Sequence, residues 1–396
     1  GRNPNLLSEG FLYNEKIIEI KTMGSNDFEV VWEWSFWEHL IQDFDENKNN
    51  YGDVLNSPQL LDINYLGDAG GNMNWLHVNS IQYNESLDQI IVSSRLMGEF
   101  YIIDHSTTTE EASGHSGGLR GKGGDFLYRW GNPQAYRAGG PEDKKLFGQH
   151  YPHWIADDLR EGGKVIVFNN GFNKADNFSS VHTITPTINS DGSYTLPVGK
   201  KIGPEDFDWT YKDPVDPVNF YSKILSGAQR LPNGNTLICE GTKGKFFELN
   251  EEDEIVWTYI SPIGNDGPLS QGSEPAVKSV FRVDKYSYDH PGLQGKNLSP
   301  KDPIELDFNI SDCQKVLSVP ELVDTSQINF QNPVGDQFNI FTNLLVEKVE
   351  VYNLQGQKIL VANREKSINF TYIPPGMYFV KIFTDQGLLS RKIIKA

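Results

Sequence analysis

The sequence predicts an all-β chain, with a β-propeller over residues 1–318 and a small Ig-like β-sandwich over 319–396. Three observations lead there. Short aromatic-rich strand segments recur in one order; helical periodicity is weak except near Trp37–Phe44; and charge balance and turn content change near residue 318.

The repeats come first. EVVWEWS (Glu29–Ser35), DFLYRWGNP (Asp125–Pro133), DFDWTYKDP (Asp206–Pro214) and EIVWTYISP (Glu254–Pro262) each alternate side chains across a strand, and the last three stop at a proline. Ahead of those three lie LDQIIVSSR (Leu87–Arg95), GGKVIVFNNG (Gly162–Gly171) and NGNTLICEGT (Asn233–Thr242), each preceded by a further strand, WLHVNSIQY, QHYPHWI or SGAQRLP. The third unit runs compactly from SGAQRLP through NTLICEG and KFFELN to EIVWTYI, four short antiparallel strands with tight turns. That is the repeat of a propeller blade. A plain β-sandwich with accidental similarity is the alternative, and three units in one strand order outweigh it. The other two units carry long insertions, His105–Asp125 and Asn173–Asp206, where function often sits. The count is three blades, a leading half-blade and a trailing strand around Ser279–Tyr286. Either the ring closes on partial blades or amino-terminal blades lie outside this sequence.

From Gly292 to Ser318 the chain reads as a loop. Beyond it, INFQNPVGDQFNIF, VEKVEVYNLQGQKIL, KSINFTYIPPGMYFVKIFTDQG and LLSRKIIKA are alternating strands separated by glycine turns, a small sandwich. Residues 319–396 hold 8 Lys plus Arg against 7 Asp plus Glu, leaving −19 on the first 318 residues. A near-neutral module behind an acidic body marks the boundary.

Composition excludes several classes. A net charge of −18 counts against a nucleic-acid binder, which needs a basic face for phosphates. No run approaches the roughly 18 apolar residues of a membrane-spanning helix. The start GRNPNLL, without Met or signal peptide, reads as a mature or truncated product with its targeting segment upstream. Two cysteines, Cys239 and Cys313, exclude a disulfide framework or a Cys-rich zinc site; Cys239, in TLICEG, is expected to be a buried thiol, with a bridge to Cys313 the alternative.

In a propeller the first strand of each blade lines the central channel. Two of the three first strands carry histidine: His77 in NWLHVNSI, and His150 with His153 in GQHYPHW. The third, SGAQRLP, has none. Cations accompany them: Arg95 ends SSR, Lys174 follows NNGFN, and Lys122 and Arg129 lie in or after the glycine-rich insertion that also holds His115. Imidazoles and fixed cations converging on one mouth would suit an oxyanion such as sulfate or phosphate. The plain alternatives are channel packing for the histidines and solvated surface charge for each cation.

Other chemistries fit less well. The insertion IIDHSTTTEEASGHSGGLRGKGGD lacks the spacing of a P-loop and no helix follows it. A zinc site from His105, His115, His150 and His153 lacks both HExxH and thiolates, so no metal is assigned. No GxSxG elbow supports a serine hydrolase, and no carboxylate pair stands out for glycoside cleavage. No cofactor is expected.

WLHVNSI, LDQIIVSSR, IIDHSTTTEEASGHSGG, GKGGDFLYRWGNPQAY, LFGQH, VFNNG, SGAQRLPNGNTLICEG and DHPGLQGK together resemble the bacterial arylsulfotransferase family over roughly residues 10 to 300. The resemblance implies a six-bladed propeller that moves a sulfuryl group from a phenolic sulfate ester to a phenol through a sulfohistidine, without a nucleotide donor. It implies His77 and His150 as channel histidines, Arg95 as the arginine of SSR, and Lys174 where the family has arginine. That last change keeps charge and loses the bidentate fork. The nucleophilic histidine of a later blade has no counterpart around SGAQRLPNG. His77 or His150 is then the catalytic candidate, with Arg95, Lys174, His153, His115 and Lys122 as anion-binding candidates.

The tail motifs FQNPVGDQFNI, VEVYNLQGQKI, PPGMYFVKI and RKIIKA resemble the carboxy-terminal sorting domain read by the type IX secretion system. This implies secretion or attachment at the outer-membrane surface of a Gram-negative bacterium, with the type IX machinery as partner. Two rivals remain open: a secreted or cell-surface binding propeller without turnover, and a sulfatase with water as acceptor.

Overall fold

The computed structural model describes residues 1–8, 10–264, 266–273, 278–309, 328–353, 358–385 and 387–396. It divides the chain into two compact units, Gly1–Phe308 and Asn309–Ala396. The expected boundary at 318, and Cys313, lie outside the described residues. Cys239 is a free, fully buried thiol, and burial pushes its pKa up to about 12.

The first unit opens with a hairpin of β1 (Lys16–Met23) and β2 (Asp27–Ser35), followed by the short parallel pair β3 (Leu40–Ile41) and β4 (Leu61–Asp62). Three four-stranded antiparallel meanders come next. One is β5 (Val78–Asn84), β6 (Gln89–Ser94), β7 (Glu99–Asp104) and β8 (Tyr128–Trp130). The second is β9 (His150–Trp154), β10 (Val165–Asn169), β11 (Ser180–Ile184) and β12 (Trp209–Tyr211). The third is β13 (Gly227–Arg230), β14 (Thr236–Glu240), β15 (Lys245–Leu249) and β16 (Ile255–Ile260). A two-residue hairpin, β17 (Ile263–Gly264) and β18 (Gly267–Pro268), follows.

Side-chain alternation stacks these sheets face to face. On β6, Ile90 and Val92 join Trp32 and Trp34 of the leading hairpin, while Ile91 faces Val165 and Val167 of the second sheet. Ile166 and Phe168 face Ile238 and Phe247 of the third. With both faces covered, β6 and β10 are buried along their whole length, and each carries a consecutive apolar run, Ile90–Val92 and Val165–Phe168.

Stacking brings the first strands together: β5 packs beside β9, and β9 beside β13. Glutamine and asparagine tie them. Asn79 Nδ2 donates to Gln149 O at 2.7 Å, and Trp154 N donates to Gln82 Oε1 at 2.7 Å. Beside β13 the partner is the chain at 278–286, where Lys285 N donates to Gln229 Oε1 at 2.8 Å and Gln229 Nε2 to Lys285 O at 3.0 Å. The trailing strand expected at Ser279–Tyr286 is not assigned as a strand; besides these side-chain bonds it is held by Ser226 N donating to Phe281 O at 2.9 Å and Val280 N to Gly241 O at 2.8 Å. Two further expectations change. The periodic stretch near Trp37–Phe44 yields only a 3-10 turn, Phe36–His39, before β3. The insertion from Asn173 supplies strand β11 instead of an uninterrupted loop.

The second unit holds β19 (Asn329–Phe330), β20 (Gln337–Phe341), β21 (Val346–Tyr352), β22 (Lys358–Asn363), β23 (Ser367–Asn369), β24 (Gly376–Thr384) and β25 (Gly387–Lys395). They form two sheets, β19-β20-β23 and β22-β21-β24-β25, whose inward residues, among them Phe338, Ile368, Val351 and Val380, make one core.

Arg129 is a load on the core and not a channel cation. It is fully buried, donates from Nε to Glu99 Oε1 at 2.9 Å and from Nη1 to Leu60 O at 2.8 Å, and lies 4.6 Å from the Tyr136 ring. Replacing it with methionine strands the Glu99 carboxylate, which is also fully buried. Arg129→Met should cost ~3–5 kcal/mol, read as a lower urea midpoint, with Glu99→Gln/Arg129→Met recovering part of the loss.

His153 and His182 are buried, and burial lowers their pKa values to about 4 and about 3. The unfolded chain takes up their protons near pH 6.5 and the folded chain does not, so stability rises with pH through this range. The stabilisation is full above pH 6.5 and is lost as pH falls toward 4. His182 bonds Ser180 Oγ at 2.7 Å and Thr210 Oγ1 at 2.8 Å. His182→Gln, which keeps bonding capacity without titrating, should flatten the dependence of the urea midpoint between pH 6.5 and 4.5; an unchanged slope would remove His182 from the account.

Candidate functional site

The open ends of the first strands assemble one cavity of about 590 Å³, lined by His77, Arg95 and His150 together with apolar side chains such as Ile18, Ile81, Leu225 and Phe281. The hairpin places the first two. Val78 pairs with Ser94 at the end of the β5–β6 ladder, and one step further Arg95 N donates to His77 O at 3.2 Å. His77 takes a left-handed conformation, φ 49°, which turns the chain at that point. The Glu15 carboxylate caps the turn, accepting from Val78 N at 2.8 Å, and burial raises its pKa.

Gln149 brings His150 alongside. Its buried Nε2 donates its two N–H groups to Ser94 O and Glu99 O at 3.0 and 2.8 Å and lies 3.1 Å from Ser93 Oγ, fastening the start of β9 to the first sheet. Gly148 precedes it at φ 68°, and a Cβ there would meet Phe172 Cβ at 2.6 Å. Phe172 needs that closeness, because its ring lies 4.4 Å from the Arg95 guanidinium carbon.

The two imidazoles are bonded differently. His150 Nδ1 lies 2.8 Å from Asn170 Oδ1 and 3.1 Å from Gly148 O, both acceptors, so the proton sits on Nδ1. Nε2 then accepts from Leu225 N at 3.2 Å. Asn170 is held in that orientation because its Nδ2 donates to Ser222 O and Leu225 O. His77 has only Asn74, whose Nδ2 lies 2.8 Å from Nδ1. With the amide so placed, the proton is on Nε2; turned over, Asn74 Oδ1 would accept from Nδ1–H and leave the Nε2 lone pair free. Burial, then Arg95, lowers both histidine pKa values, that of His150 to about 4. Both rings are neutral at neutral pH.

Arg95 is 8 % exposed, has no ion-pair partner among the described residues, and its Nε makes no hydrogen bond. Asp68, the acid that influences it, already pairs with Lys144 at 2.8 Å. Asn79 Oδ1 and Ser80 Oγ, also at this cavity, are likewise buried without partners. A buried cation without an anion is costly. Together with two neutral imidazoles and an apolar wall, it can hold an oxyanion attached to a hydrophobic group.

Of the seven residues singled out from the sequence, three meet here and four do not line the cavity. Lys174 lies over the Phe178 ring at 3.9 Å, and burial lowers its pKa. His153 points into the fold, stacked on Tyr151 at 4.1 Å. His115 bonds Asp125 Oδ1 at 2.7 Å, and Lys122 lines a separate cleft with Arg120. Strand position fixed where these residues sit in the chain, but the side-chain directions came from packing. Gln149, Asn170, Asn74 and Phe172 were not anticipated as site residues. Gln149 and Asn170 do lie in the motifs QH and NNG, where a polar side chain beside an apolar strand was the available signal.

Among solved structures the chain is similar to virginiamycin B lyase from Staphylococcus aureus at 12% identity, covering 80% of this chain and 83% of that one, TM-score 0.25. It is also similar to the extracellular domain assigned to a one component system of B. thetaiotaomicron (10% identity, 83% and 45% covered, TM-score 0.25). A third is the extracellular domain of a hybrid two component system of the same organism (11% identity, 81% and 44% covered, TM-score 0.23). No curated protein matches the chain. Residues 330–396 match the secretion system C-terminal sorting domain, which marks the protein for secretion or attachment at the cell surface through the type IX system of Gram-negative bacteria. Residues 12–261 match the arylsulfotransferase (ASST) family, and the chain belongs to that family.

Proposed function

We propose that the cavity of His77, Arg95 and His150 transfers a sulfuryl group from a phenolic sulfate ester to a phenol. The observation that carries this reading is Arg95, a buried guanidinium with no counter-ion among the described residues, beside two neutral imidazoles. Arg95 would take the sulfate oxygens, and Phe281, Ile18 and Leu225 would take the aryl ring.

His77 is the better nucleophile of the two, since the Nε2 lone pair of His150 is already occupied by Leu225 N–H. Once the Asn74 amide is turned over so that its Oδ1 accepts from Nδ1–H, His77 Nε2 attacks sulfur; the S–N bond forms, the S–O(aryl) bond breaks, and the phenolate leaves with the electron pair. The acceptor phenol oxygen then attacks sulfur, the S–N bond breaks, and the acceptor proton is lost to solvent or to the departed phenolate. Charge on the sulfuryl oxygens stays against Arg95 in both steps. His150, held by Asn170, orients the Leu225 backbone at the cavity wall.

Around this site, residues 1–318 would act as a propeller of the six-bladed family, of which the three stacked meanders and the leading hairpin are the described part. Residues 319–396, read as an Ig-like sandwich, would deliver it through the type IX machinery. A second reading, a secreted or cell-surface binding protein without turnover, draws support from the occupied His150 Nε2 and from the absence of histidine in Ser226–Asn235.

Activity and stability separate the readings. Arg95→Met should lower transfer from a chromogenic aryl sulfate to phenol about 100-fold or more, while the ligand-free protein melts no lower than wild type, because an unpaired buried charge has been removed. A strongly lowered melting temperature would make Arg95 structural. His77→Ala should abolish transfer, and His150→Ala should reduce it. Wild-type protein that binds the aryl sulfate without transfer would favour the binding reading; free sulfate released without phenol would indicate water as acceptor.

A further inference from the structure

The glycine-rich insertion is tied to the end of the leading hairpin by a second cluster, away from the residues of the cavity above. His39 Nδ1 lies 2.9 Å from Asp125 Oδ1, and His115 Nδ1 lies 2.7 Å from the same oxygen. All three ligand atoms fall within 4.8 Å of one another, the one such group among the described residues. The residues come from distant places: His39 closes the 3-10 turn after β2, His115 lies within the insertion, and Asp125 stands just before β8.

The surroundings are built. His39 is fully buried, and its Nε2 lies 2.9 Å from Ala112 O, so that nitrogen donates and Nδ1 is the one aimed at the cluster. A backbone carbonyl behind an imidazole is the usual outer support of a metal ligand, fixing ring orientation and tautomer. The Trp34 ring stacks on His39, 5.4 Å between centroids and 4° from parallel, and Trp34 Nε1 donates to Gly124 O at 2.7 Å. Gly124 cannot be larger, since a Cβ there would meet Ala112 O at 2.0 Å and His39 Nε2 at 2.6 Å. One rigidly backed imidazole and a carboxylate whose side chain is 6% exposed thus converge on one point, while the His115 side chain, 61% exposed, leaves one side open to solvent.

Two imidazole nitrogens and a buried carboxylate oxygen directed at one another are a donor set that a divalent cation can take. Ligand atoms around a tetrahedral zinc lie about 3.3 Å apart, so each imidazole opens from Asp125 by about half an ångström while the two imidazole nitrogens, within 4.8 Å, settle to the same spacing. Two imidazoles and one carboxylate suit a late first-row divalent cation better than calcium or magnesium, which prefer oxygen.

We propose that His39, His115 and Asp125 bind a divalent transition cation of the zinc type, which clasps the His105–Asp125 insertion to the end of β2. Of the set weighed from the sequence, His105, His115, His150 and His153, the proposed group shares only His115. The test uses the full chain stripped with chelator, titrated with Zn²⁺ by calorimetry and with Co²⁺ by visible absorption. One equivalent should bind, and Co²⁺ should give ligand-field bands. His115→Ala, at an exposed position, should keep the fold and weaken binding about tenfold or more, as should Asp125→Asn, while His290→Ala binds as wild type. Failure of wild type to bind one equivalent, or undiminished binding by His115→Ala, would overturn the proposal.

Discussion

The first unit depends on the lateral bonding of its first strands. Each meander buries its faces against its neighbours, and that alone would leave the strand starts free to slide. The amide side chains of Asn79, Gln82, Gln149 and Gln229 stop this by bonding to backbone in the next strand or in the chain at 278–286. A slip would break these bonds and leave the buried N–H groups without partners, so the arrangement holds one register. That register sets His77, Arg95 and His150 around a common space.

Arg95 shows what the scaffold sustains. Its guanidinium lies over Phe172 and lines one cavity with two neutral imidazoles, with no carboxylate paired to it among the described residues. Glu99 and Arg129, both buried, display the opposite arrangement, a cation satisfied by a carboxylate and backbone carbonyls. Arg129 is fully buried and fully partnered, whereas Arg95 keeps some exposure at the cavity and has no carboxylate. One stabilises the fold; the other is left with capacity for an anion.

Much of this was legible in the sequence, for physical reasons. Strand order followed from recurring aromatic segments and from apolar runs such as the IIV of LDQIIVSSR, because a strand covered on both faces carries consecutive apolar residues at its centre. His77 and His150 were legible as a pair because they open equivalent strands. Lys174 and His153 were misplaced because sequence fixes where a residue lies along a strand end and says little about which way a flexible or buried side chain turns. Asn170 escaped notice, since its importance lies in orienting a histidine twenty residues away. His39 and Asp125 looked unrelated until the folded insertion brought them to His115.

The central claim is that His77, Arg95 and His150 form one oxyanion site for an aryl ester. Imidazole ¹⁵N chemical shifts of the histidine-labelled full chain, titrated with a non-transferable aryl sulfonate, test it most directly. The account predicts saturable shifts at His77 and His150 with His153 and His182 unmoved, and no such shifts in the Arg95→Met variant. Shifts confined to other histidines, or none at saturating ligand, would contradict it.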